Sequence, residues 1–92
     1  MLNELFMVIE DRKARPVEGS YTNRLLREGE DKILKKIGEE AVEVIVAAKG
    51  QGDQRVVEET ADLLYHVLVL LAARGLSLSH VEAELRRRHF SR

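Results

Sequence analysis

Ninety-two residues carrying 15 Lys plus Arg against 16 Asp plus Glu give a net charge of −1, which argues against a general nucleic-acid binder, a class with a marked basic excess. The chain has no cysteine, so disulfides, thiolate metal sites and cysteine nucleophiles are excluded. A chain this short buries proportionally little surface by itself, and help from a second copy is expected.

The opening segment MLNELFMVIEDRK has acidic residues in and just after its apolar run and no small-residue cleavage site, unlike a secretory signal. Leu2, Leu5, Phe6 and Ile9 recur at i, i+3, i+4 and i+7, which predicts a first amphipathic helix ending before Pro16. The cluster Pro16-Val-Glu-Gly-Ser20 then opens into Ser20-Tyr21-Thr22, where a hydroxyl can cap a short helix through Arg27 that Gly29 stops.

Asp31 is a good N-cap for a long third helix with Ile33, Ile37, Ala41, Val44, Ile45 and Ala48 as its buried stripe. Lys32 and Lys36 share a face with Glu39 and Glu43, so that face is basic at one end and acidic at the other. Gly50-Gln51-Gly52-Asp53 forms a short turn, with Asp53 as the next N-cap, and a fourth helix runs from about Gln54 to Arg74. Its apolar positions Val57, Ala61, Leu64, Val67, Leu68 and Leu71 oppose the arc of Glu58, Glu59 and Asp62.

Beyond Asp62 the run LLYHVLVLLAA is apolar nearly all round and needs cover on more than one side, which predicts a homodimer or a dimer of dimers. It falls short of the roughly 20 residues a membrane span needs, so the expectation is a soluble cytoplasmic protein. A last helix starts at Ser77 or at Ser79, where Ser79-x-x-Glu82 matches a capping box, and ends in Arg86-Arg87-Arg88-His89. That arginine run reads most simply as favourable charge at a helix C-terminus. The expected architecture is all-α: five helices in a single domain over residues 1–92, built around an antiparallel hairpin.

Across that hairpin a small pattern is written twice, Glu39-Glu40-x-x-Glu43 and then Glu58-Glu59-x-x-Asp62. Residues three and four apart share a helical face, so each cluster projects two carboxylates together. At about 1.5 Å per residue, Glu43 and Glu59 lie roughly 10 Å from the turn and Glu40 and Asp62 roughly 14 Å, which sets Glu43 level with Glu59 and Glu40 level with Asp62. Converging carboxylates repel unless a cation lies among them. An all-oxygen set suits Mg²⁺ or Mn²⁺, which leave room for waters and phosphate oxygens. One such cluster alone reads as a solvated face; two at matched depth point to metal-dependent phosphate chemistry. Lys32 and Lys36 read equally as charge partners or as phosphate ligands. His66, one turn past Asp62, either orients that carboxylate or is a histidine buried at an interface, and Tyr65 reads as packing.

These acidic clusters resemble the signature of the MazG-like all-α nucleotide pyrophosphohydrolases. Within them the chain is similar to the phosphoribosyl-ATP pyrophosphohydrolases of histidine biosynthesis, through Gly19-Ser20-Tyr21-Thr22, Asp31-Lys32-Ile33, Lys35-Lys36-Ile37-Gly38-Glu39-Glu40, Ala61-Asp62-Leu63-Leu64-Tyr65-His66 and Arg74-Gly75-Leu76-Ser77-Leu78. The resemblance implies a MazG-like bundle that hydrolyses phosphoribosyl-ATP to phosphoribosyl-AMP and pyrophosphate with Mg²⁺. It implies Glu40, Glu43, Glu59 and Asp62 as metal ligands and Glu39 as a further ligand or water-orienting base; Glu58 receives no role. Some relatives carry a fused cyclohydrolase domain, and the free-standing form is expected here.

The chemistry of polyphosphate attack adds candidate phosphate ligands: Lys32, Lys36, Arg24 and Lys13 as cations, and Ser20, Tyr21 and Thr22 as donors at a helix start. The rival readings are a housecleaning nucleoside triphosphate pyrophosphohydrolase with the same metal site, and a noncatalytic helical oligomerisation module.

Overall fold

A computed structural model describes residues 1–90, so the expected domain over 1–92 runs two residues past the described part. Five helices follow one another, and no strand occurs among the described residues: α1 Leu2–Ala14, α2 Tyr21–Glu28, α3 Glu30–Gly50, α4 Asp53–Ala73 and α5 Leu78–Phe90. The all-α expectation holds, as does the antiparallel pair α3 and α4 as the main packing unit. No single helix is long and apolar enough to cross a membrane.

Two predicted caps are corrected. Gly29, at φ 102°, both ends α2 and starts α3, and Gly52, at φ 89°, starts α4. Glycine adopts these angles without the clash a Cβ brings. Each glycine carbonyl accepts the first helical N–H, from Ile33 and from Val56, both at 3.3 Å. Asp31 and Asp53 therefore lie inside the first turns, where their charge favours the helix N-terminus without capping it. Ser20 is the N-cap expected for α2, its Oγ accepting from the Asn23 N–H at 3.2 Å. α5 begins at Leu78, which favours Ser77 over Ser79 as the flanking residue. The Ser77 N–H donates to His80 Nδ1 at 3.0 Å, and no Ser79–Glu82 box is seen among the described residues.

The core lies at the open end of the hairpin. Phe6 and Ile9 of α1, Leu25 of α2 and Ile33 of α3 close on Leu68, Val69 and Ala72 of α4. Lys13 Nζ donates to the Ala72 carbonyl at 2.7 Å, satisfying a C-terminal carbonyl of α4. The connection between α1 and α2 is fixed by buried Asn23, whose Oδ1 accepts from the Val17 N–H at 2.8 Å and whose Nδ2 donates to the Arg12 carbonyl at 2.7 Å. α5 leaves α4 at 109° and buries no residue.

The predicted stripes are corrected toward the turn. Along α3 the sheltered series is Ile33, Ile37, Glu40, Val44 and Ala47, while Ile45 and Ala48 are exposed. On α4, Glu59 is buried and Val57 and Ala61 are outside. Glu40 and Glu59 thus lie on the packing face, while Glu39, Glu43, Glu58 and Asp62 stay exposed beside it. The reason is the pairing itself: each helix has one face toward its neighbour, and Glu40 and Glu59 share that sheltered side with Val44, Ala47 and Val56.

Candidate active site

Glu40 enters from the middle of α3, and Glu59 and Asp62 enter from α4 one helical turn apart. One carboxylate oxygen from each lies within 4.8 Å of the others. The Glu40 and Glu59 side chains are only 12% and 9% exposed, while Asp62 is open to solvent. Octahedral Mg²⁺ binds oxygens at about 2.0–2.1 Å, so ligand atoms in one shell stand roughly 3 to 4 Å apart. Three hard oxygens already this close fit such an ion with side-chain rotation alone, and the open side at Asp62 leaves room for water and phosphate oxygens.

Of the other predicted ligands, Glu43 is exposed and lies outside the three-carboxylate group. Glu39 is about half exposed beside Lys36. Lys36 Nζ stands 3.5 Å from both Glu39 and Glu40. Burial pulls its ammonium down, but the Tyr21 hydroxyl, Glu40 and Glu39 outweigh it and hold Lys36 above the ordinary lysine value. Lys32 is exposed and makes no ion pair among the described residues.

The hydroxyls of the α2 start are turned inward. The Tyr21 hydroxyl meets His66 Nε2 at 2.9 Å, and His66 Nδ1 lies 2.7 Å from the Asp62 carbonyl. A carbonyl can only accept, so Nδ1 carries a proton, and in the tautomer that leaves Nε2 free the Tyr21 hydroxyl donates to it; the ring is buried. It touches the Asp62 backbone and leaves the carboxylate alone, which corrects the orienting role considered for it. Thr22 Oγ1 bonds to the Tyr65 hydroxyl, and the Tyr21 and Tyr65 rings stack at 6.1 Å. Tyr65 therefore carries a hydrogen bond as well as packing. Arg24 lies over the Tyr21 ring at 5.1 Å. Burial raises the Tyr21 hydroxyl above the ordinary tyrosine value against the opposing pulls of Lys36 and Arg24. Ser20, used as a cap, and Lys13, used at the end of α4, are already engaged.

One residue escaped the sequence reading. Arg55 reaches Glu58 and Glu59 together, each at 2.5 Å. Its bond holds the Glu58 carboxyl below the usual value. The signal was available: the doubled pattern extends one turn earlier, as Lys36-x-x-Glu39-Glu40 and Arg55-x-x-Glu58-Glu59.

The profile of the family described as PRA-PH, phosphoribosyl-ATP pyrophosphohydrolase, matches residues 2–89. The chain belongs to the phosphoribosyl-ATP pyrophosphohydrolase family. It is 58% identical over 87 residues to the phosphoribosyl-ATP pyrophosphatase of Lactiplantibacillus plantarum, covering 95% of this chain and 82% of that protein. It is 59% identical over 88 residues to that of Listeria welshimeri, covering 96% and 84%. For the protein of the same name from Bacillus cytotoxicus the identity is 53% over 88 residues, covering 96% and 82%.

Proposed function

We propose that this chain hydrolyses phosphoribosyl-ATP to phosphoribosyl-AMP and pyrophosphate in histidine biosynthesis, with Glu40, Glu59 and Asp62 holding Mg²⁺ or Mn²⁺. The observation that carries the reading is the convergence of those three carboxylates within 4.8 Å in a member of this family. Bound there, the metal would supply charge neutralisation on the nonbridging phosphate oxygens and a more acidic water.

The chain's own residues divide the remaining work. Glu43, one turn from Glu40 on the exposed side, is the fourth ligand of the proposal, reached by rotation of a free side chain. Glu39, outside the three-carboxylate group, is the base that accepts the proton of the attacking water. Lys36 and Arg24, with Lys32 further out, offer positive charge to the triphosphate along the basic end of α3. Ser20, Tyr21 and Thr22 act chiefly by fixing the start of α2 beside this face, since their hydroxyls are already bonded within the protein.

Self-association belongs to the same proposal, as a homodimer or dimer of dimers of one all-α domain working in the cytoplasm. Val42, Ile45, Val46, Val57 and Leu64 are 55%, 62%, 43%, 61% and 44% exposed. An apolar groove of about 310 Å³, lined in part by Leu2, Leu64, Leu78, Val81 and Leu85, opens between α1, α4 and α5. A second copy is the occupant that this proposal assigns to these apolar surfaces.

The test is pyrophosphate release from phosphoribosyl-ATP, ATP and dUTP, each with and without Mg²⁺. Metal-dependent turnover with phosphoribosyl-ATP strongly preferred is expected; preference for a plain triphosphate would overturn the substrate assignment.

A further inference from the structure

The two buried carboxylates of the site each carry a cation supplied from their own helix, four residues earlier. Lys36 serves Glu40 and Glu39; Arg55 serves Glu59 and Glu58. Asp62, the exposed carboxylate, makes no ion pair among the described residues. A cation placed N-terminal to its acid at i,i+4 is the less favourable order for helix stability. The same order occurs on both arms of the hairpin and converges on one site, so helix propensity does not account for it.

We propose that Lys36 and Arg55 are built-in counter-ions that compete with the catalytic metal for Glu40 and Glu59, setting metal affinity below what the bare carboxylates would give. This rests on the carboxylates being the metal ligands. Without a metal, buried carboxylates facing each other would be destabilising, and the two cations remove that cost. With a metal bound, the same cations are released to negative oxygens nearby. Lys36 is the more readily exchanged of the two: it is a single ammonium shared at 3.5 Å between two acids, whereas Arg55 is a planar fork bonded at 2.5 Å to both of its own. Lys36 lies on the α2 side of the site, beside Tyr21, where a phosphate would be met.

The experiment is a calorimetric titration of the full chain with Mn²⁺ alone, for the parent, Lys36→Met, Lys36→Gln, Arg55→Met and Glu40→Gln. Far-UV circular dichroism checks the fold of each. Removing a competing cation is expected to tighten Mn²⁺ binding by about three- to tenfold in both Lys36 variants, and by a similar factor in Arg55→Met. Lys36→Met should at the same time raise the KM for nucleotide. A residue that merely held the carboxylates in place would give the opposite sign, weaker Mn²⁺ binding once removed. Unchanged or weakened affinity in a folded Lys36 variant therefore overturns the counter-ion role while Glu40→Gln still reports on the site itself. A parent that takes up no Mn²⁺ overturns the carboxylate reading and the counter-ion role with it.

Discussion

The two ends of the α3/α4 hairpin are built on opposite principles. At the open end α1 and α2 cover the pair, and Leu25, Ile33 and Val69 are wholly shielded from solvent. At the turn end no other helix supplies such a core: Glu40 and Glu59 point between the helices, and Val42, Ile45 and Val57 face out. One end is organised for stability, and the other carries the acidic group on which the proposed chemistry rests. The comparison teaches that acidic side chains can sit at a helix interface when cations stand beside them, with apolar residues of the same helices turned outward.

The largest expected effect breaks the chemical end. Glu59→Gln keeps the shape and one acceptor but removes the charge, and metal-dependent pyrophosphate release should fall by roughly a hundredfold or more. Near-normal turnover at saturating Mg²⁺ would rule Glu59 out as a ligand. At the stable end, Leu25→Ala removes a side chain with no exposed surface and should cost about 3 kcal/mol, read as a shift in the denaturant midpoint.

The outward apolar surface sharpens the contrast from another side. Ile45→Asp should shift the sedimenting species toward monomer with little loss of helix content, because Ile45 is 62% exposed within the protomer. If the parent already sediments as a monomer, the self-association reading fails. Between the two ends, Tyr21→Phe deletes the hydroxyl bonded to His66 Nε2 and leaves a buried ring nitrogen without its partner. A loss of about 1–2 kcal/mol is expected in the same denaturant measurement.

The smallest effect concerns pH. Arg55 holds the exposed Glu58 carboxyl below its ordinary value of 4.5, so this contribution is complete above that value and is lost as pH falls through the lower, folded one. Arg55→Ala should flatten the melting temperature slightly over that acid window. For Lys36, held above 10.5, the sign reverses: its contribution is complete below that value and is lost at higher pH as the ammonium deprotonates.

Helix number and order were legible because Pro16, Gly29, the Gly50 to Gly52 turn and Gly75 punctuate long periodic runs. Three of the four carboxylates that the resemblance implied as ligands, Glu40, Glu59 and Asp62, are found together; matched depth on an antiparallel pair was enough for Glu40 and Asp62. The direction of the faces was not legible near the turn. Hydrophobic periodicity marks which residues share a side, but a helix with Val57 on one side and Glu59 on the other does not declare which side meets its neighbour. The inward use of Tyr21 and Thr22 was hidden for a related reason, since their partners, His66 and Tyr65, lie more than forty positions away.

Gly29 gives the arrangement a mechanical side. It ends one helix and begins the next with no residue between them, so α2 and α3 form an elbow with a single joint. Glu40 stands about 16 Å along the longer arm. A tilt of roughly 5° at that joint would carry its carboxylate more than about 1 Å, enough to open or close the three-oxygen group. Tyr21 against His66, gripping the start of α2, thus holds the short arm of a lever whose far end is Glu40, a metal ligand of the proposal.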